Sequence, residues 1–420
     1  MDSFLRVGDI TVALRCDDER IHCAWAEPFS RFLVEPASVP FTIDVEIEAR
    51  IGDIDAVDGD VVFDSGSVWR MLREERGYRV ECRSPRFGAE PYKIARFDHS
   101  FTRGTIVLRE AVAHLQPLEY PLDELLIANL LGRGRGVELH SCGVIDREGR
   151  GHLFVGVSGA GKSTIARLWG GAAAGIVSDE RVIVRETDGV MTMYGTPWQS
   201  DAGFAMAASA PLAGVYLLEQ ARVHELVALP YAAAVARLFR CAFPLFHDPA
   251  SIEFTLSFLE KLAAAVPVRE LRFANDRGAV DLVLRPMDRA TEVILDLLAR
   301  GHAVQFRARG DSMHPLIRSD EALHVDPVRE ADVGDVVLTL ADRGLTAHRV
   351  IRKDGDVIVT RGDNAPSDDP PLPLARVLGR VRVSRLRRLE AMLRSAVRAA
   401  RRRLLSRRDA RVPGCSRHDG

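Results

Sequence analysis

The chain has 420 residues, a length that predicts about three domains, each large enough to bury its own core. Hydrophobic residues make up 47% and charged residues 28%, which is typical of globular proteins and argues against a disordered or fibrous chain. Because 57 Lys and Arg balance 59 Asp and Glu, the overall charge does not indicate a specific nucleic-acid-binding protein. The six cysteines are scattered without a C-x-x-C pair, which argues against a disulfide framework or zinc ribbon and favours a reducing compartment.

Targeting and membrane-spanning segments are not evident in the sequence. Residues 1–20 carry charges throughout, and the most apolar stretch, 122–131, is short and contains Asp123 and Glu124. A spanning helix needs about 20 predominantly apolar residues. The sequence therefore predicts a cytoplasmic protein, either soluble or peripheral at the inner face of the membrane.

Hydrophobic periodicity divides the chain into four regions. Residues 1–115 contain short alternating stretches such as 41–47 and 104–108, which predict a β-rich N-terminal region. Residues 116–290 alternate helical and strand patterns, which predicts an α/β domain. Within it we expect helices at 122–131, 162–169 and 232–262, and strands at 137–144, 152–157, 175–177 and 266–286. A helix at 291–300 leads to a mostly-β domain at 302–383 and a basic segment at 384–420.

The strongest local motif is a glycine-rich loop at 156–163 that fits G-x-x-x-x-G-K-[ST] between a strand and a helix. Such a loop holds phosphates with its backbone N–H groups, while the Lys162 ammonium reaches the β and γ oxygens and the Ser163 hydroxyl holds Mg²⁺. The alternative is a chance match in a glycine-rich turn. The predicted nucleotide-binding residues are Gly156, Ser158, Gly159, Ala160, Gly161, Lys162, Ser163 and Thr164.

Acidic residues follow the next predicted strand, which we expect beside the strand of the phosphate loop. Asp179 could take the proton of an acceptor hydroxyl, and Glu180 could complete a Mg²⁺ shell together with Ser163. His140, predicted at the end of the preceding strand, is a further catalytic candidate. The alternatives are a surface or helix-capping acidic pair and a structural histidine.

These residues resemble motifs of the HPr kinase/phosphorylase family: Leu139-His140, the phosphate loop, and 178–180, where Glu180 stands in the position of the family's second Asp. The resemblance covers about 121–286 and is closest to the branch found beside peptide-modification genes. It implies a phosphoenolpyruvate-carboxykinase-like P-loop fold that uses ATP and Mg²⁺ to phosphorylate a serine hydroxyl. It also implies that Asp179 is the acid/base and Glu180 a metal ligand.

Four further motifs occur in order in the C-terminal region, at 310–315, 334–337, 348–350 and 362–364. They resemble the signal-peptidase superfamily, whose motifs contain a nucleophilic serine and a Lys or His base. The resemblance spans about 304–383 and implies that Ser312 is the nucleophile and His348 the base, as in the archaeal, sporulation and endoplasmic-reticulum type.

An imidazole can activate a serine hydroxyl at neutral pH, and an acidic residue that orients the imidazole would complete a triad. Asp363 is the first candidate for that residue, and Asp368 or Asp369 the second. The backbone N–H of Ser312 could contribute to an oxyanion hole. Lys353 is an alternative base, but we interpret it as a hairpin residue. The alternative to a peptidase is a domain that binds peptides without cleaving them.

The basic segment repeats apolar residues at helical spacing from 386 to 404, with arginines on the other faces. It predicts a helix that binds an anionic membrane surface or an acidic partner. Packing on its own domain and nonspecific nucleic-acid binding are the alternatives.

Together the motifs predict a bifunctional enzyme that phosphorylates a hydroxyl of a peptide or small protein and cleaves a leader or signal-like peptide. An ATP-gated serine protease without phosphotransfer and a non-catalytic scaffold are the alternatives. Self-association into a homo-oligomer is left open.

Overall fold

The computed structural model describes residues 2–16, 18–21, 25–36, 42–54, 59–88, 90–110, 116–200, 202–284, 289–328, 330–341 and 344–383. The chain divides into two compact units, Met1–Arg285 and Pro286–Gly420. No helix within the described ranges is long and apolar enough to cross a bilayer. The basic helix predicted at 384–420 lies outside the described residues.

The first sheet of unit 1 has eight strands in the order β1-β2-β3-β8-β7-β6-β5-β4. Alternation produces this sheet: in β3 the apolar Val45, Ile47 and Ala49 are buried while the charged residues between them are exposed. The predicted β-rich character of this region is confirmed. The strands are β1 Asp2–Val7, β2 Ile10–Cys16, β3 Val45–Ile51, β4 Asp60–Asp64, β5 Trp69–Glu74, β6 Gly77–Cys82, β7 Lys93–Phe97 and β8 Arg103–Leu108.

The rest of unit 1 forms a mixed sheet. Its strands are β9 Val137–Asp146, β10 Gly151–Val155, β11 Ala173–Ser178, β12 Arg181–Thr187, β13 Val190–Tyr194, β14 Ser209–Gln220, β15 Glu225–Ala228 and β16 Val268–Phe273. The long β9 pairs with β12 through its first half and with both β10 and β11 through its second half. Strand β14 pairs with both β10 and β16 and runs parallel to each of them.

The described residues of unit 1 include the helices α1 Leu122–Leu130, α2 Lys162–Trp169, α3 Tyr231–Phe239, α4 Pro249–Ala265 and α5 Gly278–Leu284. Helix α1 packs into the core of the first sheet. Helix α5 corrects the expectation that strands continue to residue 286: Ala279, Val280 and Val283 follow helical spacing and are buried. The helix that follows the phosphate loop is fixed by Trp169, which is fully buried against Phe154 of β10. This packing fixes α2 and hence the position of Lys162 at its start.

Unit 2 begins with helix α6 Arg289–Ala299 and continues as a seven-stranded sheet in the order β17-β18-β23-β19-β20-β21-β22. The strands are β17 Val304–Arg307, β18 Ala322–Asp326, β19 Val336–Ala341, β20 Gly344–Asp354, β21 Val357–Arg361, β22 Leu372–Pro373 and β23 Gly379–Val381. The antiparallel pair β19–β20 places His348 opposite Val337, and β20 also pairs with β21. The predicted mostly-β character of this region is confirmed.

Candidate functional site: a serine centre and a phosphate loop

The nucleophile turn of unit 2 lies between β17 and β18. Met313, Leu316 and Ile317 are buried in the core of the unit and anchor the turn from below. Ser312 itself is exposed. The buried neighbours hold the turn in place, and the Ser312 hydroxyl lies at its surface. The N–H of Ser312 has no acceptor within the described part of the chain, which leaves it free to bind an oxyanion.

The structure brings Ser312 and His348 together. His348 Nε2 lies 3.1 Å from Ser312 Oγ, within the distance at which a base can take the hydroxyl proton. His348 is largely shielded from solvent, with 13% of its side chain exposed. Two residues 36 positions apart in sequence therefore lie within hydrogen-bonding distance, the arrangement that the motifs predict for a nucleophile and its base.

Asp369 orients the imidazole. Its Oδ2 lies 2.6 Å from His348 Nδ1, and Thr360 Oγ1 donates to the same oxygen at 2.7 Å. The Asp369 N–H also donates to the Thr360 carbonyl, which ties the loop to β21. Because a carboxylate only accepts, Nδ1 carries the ring proton and Nε2 is free to accept from Ser312.

The first candidate for the orienting acid, Asp363, is wrong. Arg349 donates to both of its carboxylate oxygens at 2.8 Å and also donates to the Gly334 carbonyl. His348 and Arg349 are consecutive residues of a strand, so their side chains point to opposite faces, and Asp363 lies on the arginine's face. Asp368 pairs with Arg361 instead. Lys353 pairs with Asp332 near the β20–β21 turn, in agreement with its reading as a hairpin residue.

Residues 362–364 brace the nucleophile turn. The Asn364 N–H donates to the Ser312 carbonyl at 2.7 Å, and the Asp363 N–H lies 3.4 Å from Met313 Sδ. At Gly362 an added Cβ would lie 2.6 Å from the Ser312 carbonyl oxygen and 3.1 Å from His348 Nε2. Only glycine lets the chain approach the Ser312 backbone and the His348 imidazole so closely at this position.

We therefore expect Gly362→Ala to reduce cleavage about 100-fold, because a displacement of about 1 Å at a reacting group costs about that much. The measurement is kcat/KM for a cleaved peptide, with the thermal melting temperature as the control for folding. Ala365, the residue directly after the bracing segment, offers the matched control Ala365→Gly, which should retain most activity. Full activity in Gly362→Ala would show that the close approach to Ser312 is unimportant.

The phosphate loop of unit 1 has the predicted strand–loop–helix geometry, between β10 and α2. Gly161 begins the helix with φ of 104°, and a Cβ there would lie 2.7 Å from the Phe273 ring. The N–H groups of Gly159 and Gly161 find no acceptor among the described residues, and the first N–H groups of α2 are those a helix leaves unpaired. This donor set fits an anion such as a phosphate.

Lys162 is buried and donates to the carbonyls of Gly156 and Val157 at 3.3 and 3.4 Å. Burial lowers the pKa of its ammonium, while the carboxylates of Glu180 and Asp179 act in the opposite direction. Both acids are therefore close enough to interact with it. Asp179 is fully buried and accepts hydrogen bonds from the hydroxyl and the N–H of Ser200. Ser163 Oγ lies 3.3 Å from the same Ser200 hydroxyl.

His140 and Glu180 form a second pair, with Nε2 and Oε1 3.1 Å apart. Burial and the nearby Lys162 lower the pKa of His140. Two expectations are corrected here. His140 lies in the middle of β9, opposite Arg181, rather than at its end. Strand β11, which precedes Asp179, is separated from β10 by β9, because β9 pairs with both of them.

Sequence reasoning missed Ser200 and Thr360. Ser200 joins Ser163 to Asp179, and Thr360 holds Asp369. Neither belongs to a motif: Ser200 follows an irregular stretch after β13, and Thr360 reads as an ordinary β-strand residue. Only the three-dimensional structure reveals their positions.

Comparison with known families bears on the serine centre. Residues 276–382 match the family described as Peptidase S24-like, a range that contains Ser312, His348 and Asp369 and excludes the phosphate loop. None of the curated proteins matches the chain. The geometry of the serine centre and the family match together identify a peptidase-like domain in residues 276–382.

Proposed function

We propose that the chain is a serine endopeptidase in which Ser312, His348 and Asp369 act as a triad. The observation that carries the proposal is the continuous chain of contacts from Ser312 Oγ through the imidazole to the Asp369 carboxylate, at 3.1 and 2.6 Å. Its location inside the Peptidase S24-like match supports the same chemistry.

In the first step His348 Nε2 takes the Ser312 proton as Oγ attacks the scissile carbonyl carbon. The Ser312 N–H stabilises the oxyanion, and the imidazolium then gives its proton to the leaving amine as the C–N bond breaks. In the second step His348 takes a proton from water as the water oxygen attacks the carbonyl carbon of the acyl-Ser312 ester. The imidazolium then returns the proton to Oγ as the C–Oγ bond breaks, which releases the peptide acid and restores Ser312. A leader or signal-like peptide is the substrate that the motif resemblance implies.

The test is cleavage of a peptide library by the wild-type chain and by Ser312→Ala, followed by mass spectrometry. We expect a small set of cleavage sites that disappears in the variant. The result that contradicts the proposal is an identical set of products from both proteins, because the cleavage would then arise elsewhere.

A second activity, ATP-dependent phosphorylation of a peptide hydroxyl, is proposed for unit 1. It is supported by the unpaired N–H groups of the phosphate loop and by the two carboxylates beside Lys162. Lys162 and the loop N–H groups would hold the phosphates, and Ser163 with Glu180 would hold Mg²⁺. Bound ATP would supply the phosphoryl group and Mg²⁺ the charge that stabilises its transfer.

Asp179 is proposed to receive the acceptor proton through Ser200. Because Asp179 is fully buried, an acceptor hydroxyl reaches it most directly through the Ser200 hydroxyl, which already donates to the carboxylate. Ser200 would pass its proton to Asp179 and take the proton of the acceptor. His140 would hold Glu180 in place.

Transfer of labelled phosphate from Mg·ATP to serine-containing peptides by wild type and by Asp179→Asn tests this activity. We expect transfer in the wild type and its loss in the variant with ATP binding retained. Wild-type ATP binding without transfer would favour the alternative, an ATP-gated protease, and absence of both would contradict both readings.

A further inference from the structure

A cleft of about 590 Å³ opens in unit 1 beside the phosphate loop. Ser200 and Glu180 lie in its wall, so the cleft reaches the residues that bond Asp179 and His140. Its volume is in the range of small-ligand sites, about 300–1,000 Å³. The cleft therefore leads directly to the proposed position of phosphoryl transfer.

Acidic side chains outnumber basic ones in the wall. Asp123, Glu124 and Glu180 line the cleft together with a single guanidinium, that of Arg181. Arg181 binds both Glu124 at 3.1 Å and the buried Glu138 at 3.0 Å, so one guanidinium is shared between two acidic side chains. Acidic groups therefore outnumber the guanidinium around the cleft, which favours a cationic occupant.

One of these acidic side chains, Asp123, has an oxygen that accepts no hydrogen bond from the described residues. Asp123 is 3% exposed, and its Oδ2 accepts a hydrogen bond from Trp198 Nε1 at 2.8 Å. Its Oδ1 has no hydrogen-bond partner in the described part of the chain. A buried carboxylate oxygen without a donor is costly, and a donor from a ligand would relieve that cost. Burial raises the pKa of Asp123, and it raises that of the neighbouring Glu124 to about 7 although Arg181 opposes the shift. A bound cation would favour the ionised form of both groups.

Aromatic rings complete the wall. Tyr120 is 58% exposed at the cleft, and Trp198 and Phe29 also line it. Rings of this kind attract a guanidinium or ammonium group placed over their faces. Within the described ranges no three His, Cys, Asp or Glu side chains are grouped so that they could hold a metal ion, so an organic cation is the better occupant.

We propose that this cleft binds a peptide segment in which an arginine or lysine flanks the hydroxyl to be phosphorylated. The cation lies among Asp123, Glu124 and the aromatic rings, and the adjacent hydroxyl points toward Ser200. The role as an acceptor site rests on the proposed phosphotransfer activity, whereas the preference for a cationic peptide does not depend on nucleotide.

The experiment is calorimetric titration of the full chain, without nucleotide, with serine-containing pentapeptides that carry arginine at one flanking position. The matched probes replace arginine by citrulline, which keeps the shape and removes the charge. We expect the best arginine peptide to bind at least about 10-fold more tightly than its citrulline counterpart. Glu124→Gln should remove this preference, and Glu90→Gln, an exposed carboxylate outside the cleft, should retain it.

Equal affinity of wild type for all arginine and citrulline pairs would overturn the inference. The inference would also be overturned if Glu124→Gln, with a normal melting temperature, kept the full preference for arginine over citrulline peptides. If Glu124→Gln folds poorly, Asp123→Asn serves as the second variant, with loss of preference again expected. A separate Mg·ATP titration distinguishes the two proposals. If the wild type shows the charge preference but does not bind ATP, the proposed kinase activity is wrong and the cationic site remains. If it binds ATP but shows no charge preference, only the cationic site is wrong.

Discussion

Ser312→Ala and His348→Ala should each abolish peptide cleavage, and the double variant should be no less active than either single one. A nucleophile and its base act as a unit, so removal of one makes the other useless, and losses of about 10³–10⁶ in kcat are typical of such pairs. The 3.1 Å contact between Nε2 and Oγ is the basis of this expectation.

The measurement is kcat for one cleaved peptide in the three variants, with circular dichroism to confirm folding. Lys353→Ala is the matched control, because this lysine pairs with Asp332 and should be dispensable. Additive losses in the double variant would show that Ser312 and His348 act independently. A fully active His348→Ala would place the base elsewhere.

Lys162→Ala should abolish measurable Mg·ATP binding while leaving the fold intact. Among the described residues, the hydrogen-bond partners of the ammonium are the two loop carbonyls, so it is available to bind phosphate oxygens when a nucleotide enters. Each hydrogen bond from a charged donor contributes about 1.5–3 kcal/mol, so the loss of two should weaken binding at least about 100-fold.

Calorimetric titration of wild type, Lys162→Ala and Lys261→Ala with Mg·ATP checks this prediction. Lys261 is an exposed lysine paired with Glu186 and should be neutral when replaced. If Lys162→Ala bound Mg·ATP as tightly as the wild type, the proposed role of this loop in phosphate binding would be contradicted.

Sequence patterns predicted the elements whose structure depends mainly on neighbouring residues in the chain. The alternation at 41–47 predicted a strand, which the structure has at Val45–Ile51, and the glycine-rich motif before Lys162 predicted the loop and helix. The pairing of Ser312 with His348 was also predictable, because the motifs that contain them occur in a recognisable order. These signals are contained in short windows of sequence.

Long-range pairing and side-chain direction could not be predicted in this way. Sequence order suggested β11 beside β10, but the long β9 pairs with both and separates them. The assignment of the orienting acid failed for a similar reason. Asp363, in the G-D-N motif, binds Arg349, whereas Asp369, in a proline-rich loop without a motif, reaches His348. His348 and Arg349 point to opposite faces of β20, and the path of the chain after β21 brings Asp363 to one face and Asp369 to the other.

The role of Asp369 is tested by kcat for the same peptide in Asp369→Asn and Asp363→Asn. We predict that Asp369→Asn keeps its melting temperature and loses about 10⁴ in kcat, as expected when the imidazole loses its orienting carboxylate. Asp363→Asn breaks a buried ion pair, with side chains 7% and 9% exposed. It should lower stability by about 3–5 kcal/mol yet leave the kcat of the folded fraction nearly unchanged. A fully active Asp369→Asn beside an inactive but folded Asp363→Asn would contradict the account.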